Sequence, residues 1–133
     1  MKYIPSVAFS ICDYSADADF RPLETYIRDI VQRVLREGLP KGVCLNVNFP
    51  KAETFHGVRL CRMSYGTWTN EVSKCNHPRG YDYWWMVGHY HNDEPEAEDT
   101  DRWALEHGYV AITPTQIDVT HYGLLRQMED WRL

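Results

Sequence analysis

Apolar residues fall at Leu23, Tyr26, Ile27, Ile30, Val31, Val34 and Leu35, at successive spacings of 3, 1, 3, 1, 3 and 1. That is the stripe of an amphipathic helix with 3.6 residues per turn. Pro22 stands in its first turn, where a missing amide is tolerated, and Gly38 and Pro40 close it. Ahead of it, Ile4 to Ile11 is a short apolar run whose proline lies near the start, which predicts a buried strand. Behind it, Val43 to Phe49 alternates for part of its length and stops at Pro50, a second strand. Strand, helix and strand in that order form a βαβ unit with parallel strands and a right-handed crossover, so the fold class is α/β.

The stretch from Asp99 to Leu125 predicts helix, strand and helix with a signal at each joint. Thr100 can cap the first helix and Gly108 can end it in the left-handed conformation. Tyr109 to Thr113 reads as a strand covered on both faces, because Tyr109, Val110, Ala111 and Ile112 are all apolar. Pro114 removes the next ladder donor, and Thr120 offers a cap for the last helix. Val58 to Ser64 and Tyr81 to His89 predict two more strands, joined by a loop rich in Thr, Asn and Gly into a hairpin arm over residues 58–92.

In that arm Tyr81, Tyr83, Trp85 and Val87 alternate against Asp82, Trp84, Met86 and Gly88, so both faces are largely apolar. Such a hairpin is expected to pack on the body with one face and on another chain with the other. An aromatic platform for nucleobases is the functional rival, since stacking tolerates any base. Glu94 to Asp99 is acidic, contains Pro95, and reads as a solvated loop.

Composition narrows the field. The 133 residues are the size of one domain, 1–133, which at this length buries roughly 68% of its unfolded surface. Fourteen basic against 19 acidic residues give a net charge of -5 and no basic footprint for a nucleic acid. Cys12, Cys44, Cys61 and Cys75 show no CxxC spacing, the first residues have neither a basic n-region nor an apolar h-region followed by small residues, and no apolar run approaches roughly 20 residues. A soluble cytoplasmic chain with reduced thiols and no membrane partner is expected.

His89 and His91 share one face of a strand, with Asp93 in the same parity, and two imidazoles there would suit zinc or iron. No CxxC or HExxH spacing supplies further ligands, so the expectation is polar residues closing a strand and no metal. Cys75 with His77 is weaker still. The carboxylate pairs Asp17 and Asp19, Glu96 and Glu98, and Asp99 and Asp101 each lie beside a predicted helix start, where capping explains them. There is no GxxxxGK[ST] and no GxSxG.

Taken in order, IPSVAFS, DADF, LPKGVCLNVNFP, HPRGYDYWWMVG, DTDRWALEHGYVAITPTQIDVTHYG and Trp131 resemble the C-terminal half of the SurE (stationary-phase survival protein) family, over nearly the whole chain. LNVNFP and GYVAITPTQID are the most specific pieces. The resemblance implies a partial Rossmann-like parallel sheet with a β-hairpin arm and a C-terminal helix. It also implies a phosphatase dependent on Mg or Mn that acts on nucleoside 5'-monophosphates, in some members on 3'-monophosphates or short polyphosphates. Family members use the arm and an exchanged terminal segment to build dimers and tetramers. Their catalytic machinery is an NDDG motif at the end of the first strand, with a serine and an asparagine further on. None of these motifs occurs here, so no catalytic residue is carried over.

The expectation is therefore a truncated piece, split-gene product or degenerate homologue, inactive alone and lacking an N-terminal half. Its expected partner is a second copy, contacted through Tyr83, Trp84, Trp85 and Met86 of the arm and through Leu124, Leu125, Met128 and Trp131 at helical spacing near the end. An independent small metalloenzyme using His89 and His91, and a non-catalytic interaction module, are the alternatives.

Overall fold

The structure, a computed structural model, describes residues 4–131. Four strands form the main sheet: β1 (Ser6–Ile11), β2 (Val43–Phe49), β8 (Val110–Gln116) and β3 (Val58–Leu60), in the spatial order β1-β2-β8-β3. β1 and β2 run parallel from Ser6 opposite Cys44 to Ile11 opposite Phe49, with α1 (Glu24–Glu37) between them in sequence. β8 runs antiparallel to β2 and parallel to β3. Alternate residues point to one face, so Val7, Phe9, Ile11, Leu45, Val47, Phe49, Val110 and Ile112 meet Leu23, just ahead of α1, and Tyr26, Ile27 and Ile30 of α1 in one core. Phe49 is fully buried, with Tyr26 and Phe55 rings packed edge-on or tilted against it at 6.2 and 5.6 Å.

The helix boundaries follow the sequence signals in most places. Arg21–Leu23 forms a single 3-10 turn with Pro22 inside it, and Gly38 ends α1 at φ +75°. Thr100 caps α2 (Asp101–Glu106) by accepting from the Trp103 amide at 3.2 Å, and Gly108 turns the chain at φ +76°. Ala104, Ala111 and Cys61 form a second small core beneath α2.

Several expectations need correction. β1 is a half-open strand, not a buried one: Ala8 and Ser10 on the face away from α1 are exposed. Thr120 is not the cap of α3 (Tyr122–Gln127): His121 Nδ1 accepts from the Leu124 amide at 2.8 Å instead, and the Thr120 amide donates to Asp118 Oδ1. Trp131 lies beyond α3 and the 3-10 turn Met128–Asp130, in an extended conformation, so it does not continue the helical stripe.

β8 also runs through Pro114 to Gln116. Val110 donates to the Gly57 carbonyl and Ile112 accepts from the Cys61 amide, so even-numbered positions of β8 address the β3 side. Pro114 therefore turns its missing donor toward the space beyond the end of β3, where no ladder bond is lost.

The arm is built differently from the predicted hairpin. Val58–Leu60 belongs to the main sheet, and residues 61–65 only lead into the arm. The supposed loop contains two strands, β4 (Gly66–Thr69) and β5 (Val72–Asn76), and the supposed single strand after it is two, β6 (Asp82–Met86) and β7 (His89–Asn92). β4 pairs with β7 and β5 with β6, both antiparallel, so the arm spans 66–92. Gly88, at φ +132°, breaks the second run, and a Cβ there would press on the Thr69 carbonyl. β6 is exposed along its whole length, including Trp84 at 62%, Trp85 at 60% and Met86 at 90%, so neither face of β6 packs on the body; the arm meets the body instead through Tyr90 of β7, which bonds Ser64 and lies beneath Arg102 of α2.

Candidate functional site

The arm leaves the body after Cys61 and returns at Asp93, and the two crossings are tied together. Arg62 reaches Glu94 through Nη1 and Nη2 at 2.5 and 2.9 Å and Asp99 through Nε at 2.8 Å. Glu94 Oε1 also accepts the Tyr65 amide at 2.8 Å, and the Tyr65 carbonyl accepts from the Asp93 amide. The Arg62 guanidinium, with help from the Tyr65 amide, holds the Glu94 carboxyl below its usual range, while Glu94 and Asp99 push Arg62 up. Next to this clamp Asp101 accepts the Ser64 amide at 2.9 Å, and Ser64 Oγ lies 2.8 Å from the Tyr90 hydroxyl.

At the carboxyl ends of β1 and β2, where open α/β sheets bind ligands, a cleft of about 560 Å³ is lined by Asp13, Asp17, Asp19, Lys51 and Glu53. Asp13 Oδ1 accepts from Ser15 N at 3.0 Å, Ser15 Oγ at 2.8 Å and Lys51 Nζ at 3.0 Å. Those bonds lower its carboxyl to about 2. Arg21 does the same for Asp19, through side-chain and backbone bonds, also to about 2. Each of these two carboxylates already has a cation from its own chain. The residues present do not fit a divalent metal, and among the described residues no group of three His, Cys, Asp or Glu side chains converges on one point.

The family model described as Survival protein SurE matches residues 1–70. The chain belongs to the SurE family. It is 53% identical over 133 residues to the 5'-nucleotidase SurE of Phocaeicola vulgatus, covering all of this chain and 52% of that one. To the 5'-nucleotidase SurE of Bacteroides thetaiotaomicron it is 44% identical, covering 98% of this chain and 51% of that one. A crystal structure of SurE protein from Aquifex aeolicus superposes with a TM-score of 0.68 at 32% identity, over 95% of this chain and 51% of that one. The chain spans about half the length of the curated relatives it matches. The fold is accordingly part of the Rossmann-like SurE body.

Within this SurE chain the sequence-derived candidates separate. Tyr83, Trp84, Trp85 and Met86 stand together on the arm, with Tyr83 and Trp85 packed edge to face at 6.3 Å. Leu124, Leu125 and Trp131 are exposed near the other end of the chain and Met128 is half-buried. His89 and His91 pair across to Thr69 and Thr67 in β4, and the carboxylate beside His91 is Asp93, at 3.7 Å. Cys75 lies in β5, while His77 stacks on Tyr81 at 4.3 Å at the arm's turn. Asp19 and Asp101 do accept amides beside helix starts, but Asp99 is engaged by Arg62.

Sequence reading missed Arg62 and Glu94, whose pairing at a separation of 32 residues leaves no local signal. It also missed Trp68 and Val72, both exposed on the arm.

Among the described residues no helix is long and apolar enough to cross a membrane.

Proposed function

We propose that this chain works as the C-terminal part of a SurE-type 5'-nucleotidase, a hydrolase of nucleoside monophosphates, and contributes the assembly surfaces. The observation that carries this reading is the match over the whole chain to relatives named 5'-nucleotidase SurE, at 53% identity in one case. The Mg or Mn that the family resemblance implies is held elsewhere, since Asp13 and Asp19 are committed to Lys51 and Arg21 and no NDDG occurs in the sequence. By this reading the chain alone does not release phosphate, because positioning and charge neutralisation are most of phosphoryl-transfer catalysis. The four free cysteines agree with a cytoplasmic setting.

The arm supports self-association into a dimer or tetramer, because Trp84, Trp85 and Met86 leave a large apolar surface in water. Mixing the chain with a separately produced N-terminal segment that carries NDDG, and following phosphate release from AMP or GMP with added Mn or Mg, tests the reading. Activity in the mixture and none in either part is expected. Release by this chain alone, proportional to its concentration and abolished by chelator, would overturn the inactivity.

A further inference from the structure

β1 is bonded on one side only. The Cys12 amide donates to the Phe49 carbonyl, continuing the parallel ladder in which Ser6, Ala8 and Ser10 turn their amides and carbonyls toward β2. The intervening residues turn theirs the other way. Val7, Phe9 and Ile11 therefore present three donors and three acceptors at an edge that no described strand occupies. Pro5, at the preceding position of the same parity, has no amide to offer and closes the row. No charged residue stands between Ile4 and Cys12, so the edge lacks the side chains that commonly deter pairing.

Above the edge, α1 exposes a second strip. Asp29, Arg33 and Glu37 face the groove over β8 and β3, where Leu45, Leu60 and Ile112 line it from the sheet. At about 100° per residue, the positions two further on from Asp29 and Arg33 look the opposite way. These are Val31 and Leu35, on the β1 flank; Val31 is half-buried and Leu35 is 75% exposed. Glu24 and Arg28 on the same side of the helix cancel in charge, so this flank is neutral on a chain of net charge -5.

We propose that the occupant of this flank is a second copy of the chain, its β1 antiparallel to the first about a two-fold axis at Phe9. In that register Phe9 faces Phe9 and Val7 faces Ile11 of the other copy, and every free donor and acceptor of both edges is used, two bonds in each pair. Any other antiparallel register sets at least one of the three residues against Pro5 or the turn after Cys12. The side chains agree with the backbone. Phe9, which packs on Phe49 at 6.4 Å, meets its mate on the core face, and Ala8 meets Ser10, both small and exposed, on the other. At each end the exposed Ile4 of one copy comes to the turn bearing Tyr14 of the other, which is 97% exposed.

A strand edge about 20 Å long falls short by itself of the roughly 800 Å² that each partner buries in a standard interface. The strip of Val31 and Leu35 carries the contact into a second layer, and the Ile4 and Tyr14 pairs carry it past both ends of the ladder. A two-fold contact of this kind closes on itself and is separate from the arm.

The test uses the whole chain carrying Trp84→Ser and Trp85→Ser, so that the arm does not contribute, with light scattering and amide hydrogen exchange at several concentrations. A dimer is expected, in which the Val7, Phe9 and Ile11 amides exchange at least tenfold more slowly at high than at low concentration while Ala8 and Ser10 do not change. A monomer throughout, or Val7, Phe9 and Ile11 indifferent to concentration, overturns the proposal. The same exchange measurement on the unaltered chain decides without a variant. Ala8→Lys with Ser10→Lys sets lysine against lysine across the two-fold and should weaken the dimer at least tenfold; Ala8→Lys with Ser10→Glu sets opposite charges in the same places and should restore it. Both pairs lose the Ser10 bond to Asn48 alike, so equal weakening by the two overturns this pairing. Leu35→Glu should also weaken the dimer, and parental affinity in that variant overturns the two-layer contact. Protection of Val7, Phe9 and Ile11 only after the NDDG segment is added, in a chain otherwise monomeric, assigns the edge to that segment and overturns the second copy.

Discussion

Arg62 grips Glu94 with both terminal nitrogens, at 2.5 and 2.9 Å, and so fastens the segment that leaves for the arm to the segment that comes back. A planar fork facing a carboxylate fixes direction as well as distance. Arg62→Ala should loosen the arm root without unfolding the core, seen as faster hydrogen exchange at the Tyr65 and Asp93 amides and unchanged exchange at Val47 and Ile112. Arg62→Lys should restore only part of the protection, because an ammonium cannot make the paired contact. Full protection in Arg62→Ala would show that the ladders alone hold the arm.

The same clamp sets an acid response. Glu94 is held below its ordinary value by Arg62, so it binds fewer protons folded than unfolded. Its contribution is present above the unfolded value of about 4.3 and is lost as pH falls through the lower folded value. Asp13 and Asp19, lowered to about 2, act in the same sense between about pH 4 and pH 2. Stability measured by urea unfolding should therefore be flat near neutrality and decline below about pH 4, with a smaller decline in Glu94→Gln. An unchanged pH profile in that variant would remove Glu94 from the account.

Phe49 is fully buried and touches Phe9, Tyr26 and Phe55. Phe49→Ala should cost about 3–5 kcal/mol in denaturant unfolding, the usual range for deleting a buried aromatic ring. A loss under about 1 kcal/mol would mean that the core around it collapses to fill the gap.

Thr100 and Gly108 bracket α2. Thr100→Ala removes the oxygen that receives the Trp103 amide and should cost about 1 kcal/mol. Gly108→Ala places a Cβ at φ +76°, 3.3 Å from His56 Nδ1, and should cost at least about 1 kcal/mol. Thermal unfolding of both variants measures this; equal Tm to the parent would refute the capping account.

Replacing Trp84 and Trp85 together by Ser should lower the molar mass measured by light scattering at micromolar concentration. Glu96→Ala with Glu98→Ala should leave it unchanged. If both pairs act alike, the arm is not the contact surface.

The α1 stripe, Val43–Phe49 and the signals at Thr100 and Gly108 were legible in the sequence because each rests on neighbours within a turn or a strand. The arm was not. Its strand β4 carries Gly, Thr, Trp and Thr, with no buried face to impose an apolar alternation, and β7 is likewise polar around Tyr90. Pairing across the arm, not burial, defines these strands, and pairing leaves no periodic trace. The site residues divide in the same way. Trp84 and Trp85 announce themselves by composition, whereas Arg62 and Glu94 depend on crossings that only the folded chain brings together.

Pro114 gives the sheet a polarity that extends past this chain. β3 offers a partner only three residues, and the stretch of β8 beyond it presents a ring where an amide donor would be needed. A foreign strand finds no continuous rail on that flank. β1 is the opposite case: six residues with one side unpaired in the described chain, and Pro5 before the first of them. Any lengthening of the sheet, by another segment or another copy, is thereby directed to the β1 flank, and stacking of sheets end over end into open fibres is blocked at the other.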